Sequence, residues 1–112
     1  MTERNDNLYL QHISDAIKKI EEYAKGLDYK DFLQNTLVQD GIIRQIEIIG
    51  EATKNLSDAT RNEYKNIPWK DIAGMRDKLI HDYFGVDIDA IWETVKTDII
   101  ELKSEIASIL KP

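Results

Sequence analysis

Residues 88–110 read IDAIWETVKTDIIELKSEIASIL, and apolar side chains recur there every three or four positions. This spacing places them on one face of an α-helix that begins after Asp87, a favourable N-cap residue. Trp92 lies beside that face, either as a core side chain or as an anchor in an interface. The segment therefore predicts a long amphipathic helix whose apolar face needs other helices to cover it. That face is formed by Ile88, Ile91, Val95, Ile99, Leu102, Ile106 and Ile109.

The earlier sequence shows helical spacing in four further segments, and none has sustained strand-like alternation. Pro68 suits the first turn of a helix that runs to about Phe84, and Gly85 suits its C-cap. We therefore predict an all-α protein, an up-and-down four-helix bundle with an additional short helix, that forms one domain over residues 1–112. The earlier helices are a first that ends near Gly26, a second from about Phe32 to Leu56, a short polar third after Ser57, and the fourth from Pro68.

Composition restricts the kinds of site that the chain can hold. It has 112 residues and no cysteine, which excludes disulfides and thiolate metal ligands. No apolar run is long enough to span a bilayer, and the N-terminal MTERNDN lacks a signal-peptide core, so we predict a cytoplasmic protein without a membrane partner. The net charge of −6, from 21 acidic and 15 basic residues, disfavours nucleic-acid binding unless basic side chains are concentrated locally.

The second predicted helix has two distinct faces. Its apolar face contains Gly50, and because glycine destabilises a helix by about 1 kcal/mol relative to alanine, another backbone is expected to approach there. The opposite side gathers Arg44, Glu47, Glu51 and Asn55. Two interpretations are open for this polar cluster: a solvated face with local ion pairs, or the lining of a cleft or dimer interface.

Arg76 is the unusual residue of the fourth helix. On a straight helix it falls in the middle of the apolar stripe, and a guanidinium buried without a partner costs several kcal/mol. It therefore needs an ion pair, for which Glu47 and Glu51 are candidates, or a cleft open to a ligand. His81 faces away from Arg76 on the same straight helix. The two side chains converge only if the helix loosens before Gly85 or a second copy of the chain supplies the partner.

An arginine and a histidine together fit phosphodiester cleavage without a metal. A histidine that titrates near neutral pH can accept a proton from a ribose 2′-hydroxyl or protonate the leaving oxygen. An arginine can stabilise the charge that develops on the phosphorus-bound oxygens. The sequence offers no compact set of metal ligands and no glycine-rich phosphate loop, so we predict neither a metal nor a cofactor. His12, in the first helix, is predicted to be a surface residue.

The segment RDKLIHDY, residues 76–83, resembles the Arg-x4-His-x-Tyr motif of the HepT toxins, which are minimal members of the HEPN superfamily of helical nucleases. The resemblance covers essentially the whole chain. It extends through IRQIEIIGEATKNLS at 43–57, NIPWKDIAGMRDKLIHDYFGVD at 66–87 and IWETVKTDIIEL at 91–102. It implies a HEPN-like fold and a homodimer in which two motifs meet at a cleft where RNA is cut without metal.

The resemblance also implies a role for each residue of the motif. Arg76 and His81 would form the catalytic pair, and Asp77 would occupy the supporting polar position. HepT toxins are paired with MNT nucleotidyltransferase antitoxins in type VII toxin–antitoxin systems, and the antitoxin transfers AMP from ATP onto the motif tyrosine, here Tyr83. The alternative is a catalytically silent HEPN-type dimer that binds the nucleotidyltransferase, or holds a nucleotide through Arg76 and the polar cluster of the second helix.

Overall fold

The computed structural model describes residues 2–80 and 85–111, with side-chain surroundings from Asn5 onward. Its regular structure is helical, so the predicted all-α class is confirmed. Within these ranges the one extended pairing is an isolated antiparallel bridge between Ile80 and Val86. The helices are α1 (Thr2–Ala24), α2 (Tyr29–Leu33), α3 (Thr36–Lys54), α4 (Asp58–Glu63), α5 (Trp69–Ala73), α6 (Met75–Leu79), α7 (Ile88–Lys96) and α8 (Asp98–Leu110).

The bundle is built around its long helices. α1 packs along α3 and against α8, and α5 and α6 also pack on α3. α7 packs on α8 and on the short α2, where Trp92 is half-buried with its ring centroid 5.0 Å from that of the buried Phe32. This contact agrees with the core interpretation of Trp92. None of the described helices combines the length and apolar character that a membrane crossing requires.

Two of the long predicted helices are each divided in the structure. The second divides at Asn35, whose side-chain oxygen accepts a hydrogen bond from the Val38 amide at 3.0 Å and so caps α3. The last divides at Thr97, whose hydroxyl donates to the Glu93 carbonyl at 2.8 Å. Short polar side chains offer the backbone such alternatives to helical bonding. The prediction missed both divisions because the apolar spacing continues across them.

The prediction of one fourth helix over residues 68–84 is wrong. Gly74 separates α5 from α6, and α6 ends at Leu79. Ile80 is extended, with φ −119° and ψ 119°, a geometry that its β-branched side chain favours, and it forms the bridge described above. Gly85 has a φ of +86°, which glycine adopts without strain. It follows the end of α6 by several residues and does not cap that helix.

Gly50 marks a close approach of α5 to α3, as predicted. A Cβ atom at this position would lie 3.2 Å from the Ala73 carbonyl oxygen, which is a tighter contact than nine in ten real Cβ contacts. The absence of a side chain therefore lets the end of α5 rest on α3. Because α6 follows directly after Gly74, the same contact brings Arg76 next to α3.

Asp6 fastens α1 to the start of α4. Its buried carboxylate accepts hydrogen bonds from the Ser57 amide at 2.9 Å, from the Ser57 hydroxyl at 2.5 Å and from the Thr60 hydroxyl. Burial raises the pKa of Asp6, but the hydrogen bonds outweigh burial and hold that pKa below its ordinary value. The ionised carboxylate therefore stabilises the fold above that ordinary value, and the contribution is lost on acidification.

Candidate functional site

Arg76 is held by a carboxylate of the neighbouring long helix. Its Nε donates a hydrogen bond to Glu47 Oε2 of α3 at 3.0 Å, and its Nη1 lies 3.4 Å from Asp77 Oδ1. The hydrogen bond that Arg76 donates to Glu47 is the main cause that raises the pKa of Arg76 above its ordinary value. Of the two predicted partners, Glu47 is therefore the one observed, while Glu51 lies 3.9 Å from Lys54.

The guanidinium of Arg76 is not enclosed in the core. The Arg76 side chain is 41% exposed and the Glu47 side chain 33% exposed, so the pair lies at the surface end of the α3–α6 contact. The prediction that Arg76 lies within the apolar stripe assumed one straight helix over residues 68–84. That assumption is wrong, because the helix divides at Gly74 and α6 ends at Leu79. Within the described residues, Nη2 of Arg76 makes no hydrogen bond, which leaves donor capacity for an anion.

The ion pair lies in a surface depression, which we call the arginine hollow. It has a volume of about 240 Å³. Gly50 forms part of its wall at the point where the end of α5 rests on α3. Three cationic and three anionic side chains surround it, so its local charge is balanced in a chain whose net charge is −6. The lining consists of Arg44, Glu47, Gly50, Glu51, Lys54, Ala73, Arg76 and Asp77.

A second depression of about 210 Å³ adjoins the arginine hollow and shares Arg44, Glu47 and Glu51 with it. The polar cluster of the second predicted helix thus lines a cleft made of two adjoining depressions, and Asn55 belongs to the second. This cleft favours the second interpretation of the cluster, although Glu47 also makes the ion pair that the first one expected. The second depression is lined by Tyr9, His12, Arg44, Glu47, Ile48, Glu51, Ala52 and Asn55.

His12 is the residue of this cleft that sequence reasoning missed. It is exposed, as predicted, and its ring meets that of Tyr9 edge-on with centroids 6.1 Å apart. Nothing in the sequence near His12 indicates a site, because only the packing of α1 on α3 brings it beside the polar cluster. The imidazole and the phenol ring line the charged second depression, and a nucleobase can stack on groups of this kind.

His81 and Tyr83, the other two residues of the predicted motif, lie outside the described residues. What the structure does describe is the chain on either side of them. α6 ends at Leu79, before His81. The helix is therefore interrupted ahead of Gly85, which is one of the two conditions under which the sequence allowed Arg76 and His81 to converge. The Asp87 amide donates to the Leu79 carbonyl at 2.8 Å, which holds the two flanks together.

The described part of the site contains an oriented guanidinium, that of Arg76, and no group of side chains suited to binding a metal ion. Among the described residues, no three His, Asp or Glu side chains are grouped so that they could hold a metal ion. A guanidinium fixed through Nε keeps its terminal nitrogens directed along one edge, which is a suitable arrangement for binding phosphate oxygens. The arrangement can therefore bind an anion and stabilise charge that develops on it.

Comparison with known proteins gives the family. A family model described as "Ribonuclease HepT-like" matches residues 13–109. The "Probable ribonuclease HepT" of Thermococcus cleftensis is 44% identical over 108 residues, which cover 96% of this chain and 98% of that protein. "Putative RNase TTE0752" of Caldanaerobacter subterraneus subsp. tengcongensis is 45% identical over 103 residues, or 92% of each chain.

A longer relative contains the same region as part of its chain. It is the "Gamma-glutamylcyclotransferase and putative RNase MJ0434" of Methanocaldococcus jannaschii, 52% identical over 104 residues. That alignment covers 93% of this chain but 47% of the relative, so this chain spans about half of that protein's length. A search of solved structures returned no match. The matched region, the helical fold and the similarity along nearly the whole chain lead to one conclusion: the chain belongs to the HepT-like ribonuclease family of the HEPN superfamily.

Proposed function

We propose that this chain cleaves RNA with Arg76 and His81, without a metal ion and as a homodimer. The observation that carries the proposal is the Arg76–Glu47 ion pair, which holds an accessible guanidinium at the arginine hollow, five residues before His81. The family and the ribonuclease names of the relatives support the type of reaction. In a dimer, the second copy adds another Arg76 and another His81 to the site.

The proposed reaction uses the ribose as its own nucleophile. The imidazole of His81 accepts the proton of a 2′-hydroxyl, and the 2′-oxygen attacks the adjacent phosphorus. The bond between phosphorus and the 5′-oxygen breaks, and that oxygen takes up a proton. The products are a 2′,3′-cyclic phosphate and a 5′-hydroxyl. Arg76 stabilises the extra negative charge on the phosphorus-bound oxygens during this step, which is the role that its oriented nitrogens suit.

The test is cleavage of end-labelled RNA by purified protein in the presence of EDTA. We expect wild type and Lys70→Ala, a substitution at an exposed residue of α5 outside the hollow, to give the same products. Arg76→Ala and His81→Ala should each cleave about 100-fold more slowly or worse, and an all-deoxy substrate should stay intact because it lacks the nucleophile. Equal cleavage by His81→Ala, or cleavage only when a divalent metal is added, would contradict the proposal.

We further propose that a nucleotidyltransferase antitoxin silences the protein by AMP transfer onto Tyr83. Added phosphate would repel RNA from the site, and the adenosine would obstruct it. Intact mass should rise by one or more AMP units when the protein is incubated with ATP and an MNT-type partner. Tyr83→Phe should gain none, whereas Tyr64→Phe, a matched change at a tyrosine of the α4–α5 connection, should be labelled like wild type. Unchanged labelling of Tyr83→Phe would exclude Tyr83.

A silent binding module is the second candidate, and the rings of Tyr9 and His12 in the depression that adjoins the arginine hollow are the observation that favours it. The guanidinium already has a carboxylate partner, so it could hold a nucleotide phosphate without doing chemistry. Calorimetric titration with AMP separates the candidates when it is combined with the cleavage assay. Binding of AMP that is lost in Arg76→Ala, together with no RNA cleavage by wild type, would favour the silent module.

A further inference from the structure

A second cleft lies beside α6, away from the arginine hollow, and we call it the acidic groove. It runs between the α5–α6 pair and the α7–α8 pair and has a volume of about 200 Å³. Its floor is apolar and consists of side chains that also belong to the core: Ile72, Met75, Leu79 and Leu102. The two clefts share no lining residue, because α6 turns Met75, Lys78 and Leu79 toward one and Arg76 and Asp77 toward the other.

The rim of the acidic groove is strongly anionic. Asp71, Asp98, Glu101 and Glu105 line it, with Lys78 as the basic residue among them. Within the described residues, none of these four carboxylates forms an ion pair. Glu101 and Glu105 are one helical turn apart, and burial together with the charge of Glu101 raises the pKa of Glu105. Like charges at this spacing destabilise a helix, so helix stability does not explain Glu105. Asp71, Asp98 and Glu101 differ, because they lie in the first turns of α5 and α8, where negative charge is favourable.

The size and chemistry of the acidic groove determine what can occupy it. A volume of about 200 Å³ lies below the range of roughly 300–1,000 Å³ that is typical of small-molecule sites. It has room for an anchoring side chain, and the apolar floor favours an aliphatic one. The four carboxylates, which form no ion pair within the part of the chain that the structure describes, disfavour RNA and anionic lipid. They complement lysine or arginine side chains on either side of the anchor.

We propose that the acidic groove is the docking site for a segment of a partner protein in which an aliphatic side chain is flanked by lysines or arginines. This proposal does not depend on ribonuclease activity. A segment bound there contacts α6, the helix that carries Arg76, and leaves the arginine hollow uncovered. The partner would therefore be held beside the motif without blocking the entry of a phosphate to Arg76.

The probe for the test is a fluorescein-labelled synthetic helix with one central leucine and two lysines on each side, at several spacings. Binding to the full chain is followed by fluorescence anisotropy at low and at physiological salt. One control peptide replaces leucine with serine, and another replaces the lysines with glutamates. We expect saturable binding of the first peptide, at least tenfold weaker binding of the serine peptide, and no binding of the glutamate peptide.

Two matched triple variants locate the binding. Asp98→Asn/Glu101→Gln/Glu105→Gln neutralises the rim and should weaken binding at least tenfold. Glu22→Gln/Asp40→Asn/Glu93→Gln removes the same number of charges from exposed positions outside the groove and should change binding less than twofold. Thr94→Leu reduces the space in the groove without changing its charge and should weaken binding of the leucine peptide alone, after circular dichroism has verified its fold.

Several results would overturn the proposal. Equal loss of binding in both triple variants would show only a general attraction of cations to an acidic protein. Equal binding of the leucine and serine peptides, with displacement by spermine, would indicate a site for small cations. A change of sedimentation coefficient in the groove variant without any peptide would show that a second copy of the chain covers the groove. Absence of saturable binding at every leucine–lysine spacing would exclude the proposed occupant.

Discussion

α6 is five residues long and lies between two clefts that differ in how their charged side chains are paired. In the arginine hollow the charges are balanced, and Arg76 is fixed by Glu47 at 3.0 Å. In the acidic groove four carboxylates surround an apolar floor and, within the described ranges, form no ion pair. Ion pairs as exposed as Arg76–Glu47 contribute little to stability. The first cleft is therefore best explained as a site that orients a cation, and the second as a surface with an excess of negative charge among its described residues.

The largest effect should come from Arg76→Ala, which removes the cation that the first cleft orients. We expect RNA cleavage to fall by about 100-fold or more, a typical loss when a donor to a charged transition state is deleted. Because the side chain is 41% exposed, the midpoint of urea unfolding should stay close to that of wild type. Arg76→Lys should recover little activity, since an ammonium cannot bond Glu47 and phosphate through separate edges. A large loss of stability with intact cleavage would make Arg76 a structural residue.

Gly50→Ala tests whether the arginine hollow depends on the contact between α3 and α5. The new Cβ would meet the Ala73 carbonyl oxygen at 3.2 Å, and a backbone atom cannot rotate away. We expect the free energy of unfolding to fall by about 1–2 kcal/mol, because strain outweighs the helix-forming advantage of alanine. Cleavage should fall with it, as α5 and Arg76 move from α3.

Gly41→Ala is the control within the same helix. Its Cβ would meet the Tyr23 ring at 3.1 Å, and a half-buried side chain of that kind can move. This variant should be neutral or more stable by up to about 1 kcal/mol in urea unfolding. If both glycine variants lose the same stability, the backbone contact at Gly50 has no special role.

Sequence reasoning succeeded at two positions, Arg76 and Gly50, where the type of residue indicates what must lie next to it. Arg76 was expected to pair with Glu47 or Glu51, and Glu47 is its partner, although the Arg76 side chain is 41% exposed and is not enclosed in the apolar stripe. Gly50 indicated a backbone approach, and Ala73 provides it. The all-α class followed from apolar spacing that the buried side chains of α1, α3 and α8 confirm.

Helix ends and the second cleft could not be predicted in the same way. The spacing of apolar residues continues through Asn35, Gly74 and Thr97, so it contains no signal for the breaks that local hydrogen bonds and a flexible residue cause there. The end of α6 at Leu79 is accompanied by the pairing of Ile80 with Val86, which is a tertiary contact. The acidic groove combines residues from α5 to α8. No contiguous segment of the sequence contains enough of these residues to predict the groove.

Glu47→Gln should have an intermediate effect on RNA cleavage, and it tests whether the Glu47 carboxylate positions Arg76 or binds substrate. The amide oxygen can still accept from Arg76, but without the charge the guanidinium is held less firmly. We expect kcat to fall about tenfold, a loss in keeping with imperfect positioning, while KM stays equal or falls because one repulsive charge is gone. The control is Asp40→Asn, an exposed carboxylate on α3 outside both clefts, which should leave both constants unchanged. A rise in KM with unchanged kcat would instead assign Glu47 to substrate binding.

Glu105→Gln should have the smallest effect, and it tests whether the charges of the second cleft are truly uncompensated. Burial and the charge of Glu101 raise the pKa of Glu105 above its ordinary value of 4.5. The ionised form is then less favourable in the folded chain than in the unfolded one, so the wild type loses stability as pH rises through this range. The variant lacks this loss, and at pH 7 it should be more stable by a few tenths of a kcal/mol, about the size of one like-charge pair on a helix.

Urea unfolding at several pH values between 4 and 7, with Glu22→Gln as the control, measures the effect of Glu105→Gln. A difference between variant and wild type that grows with pH supports an unpaired carboxylate, and a variant that is less stable at pH 7 indicates that Glu105 has a cationic partner. Bound cationic peptide should reverse the sign, because lysine beside Glu105 favours the ionised form and lowers its pKa. Peptide affinity should then increase as pH rises through the pKa of Glu105, by the amount that linkage requires.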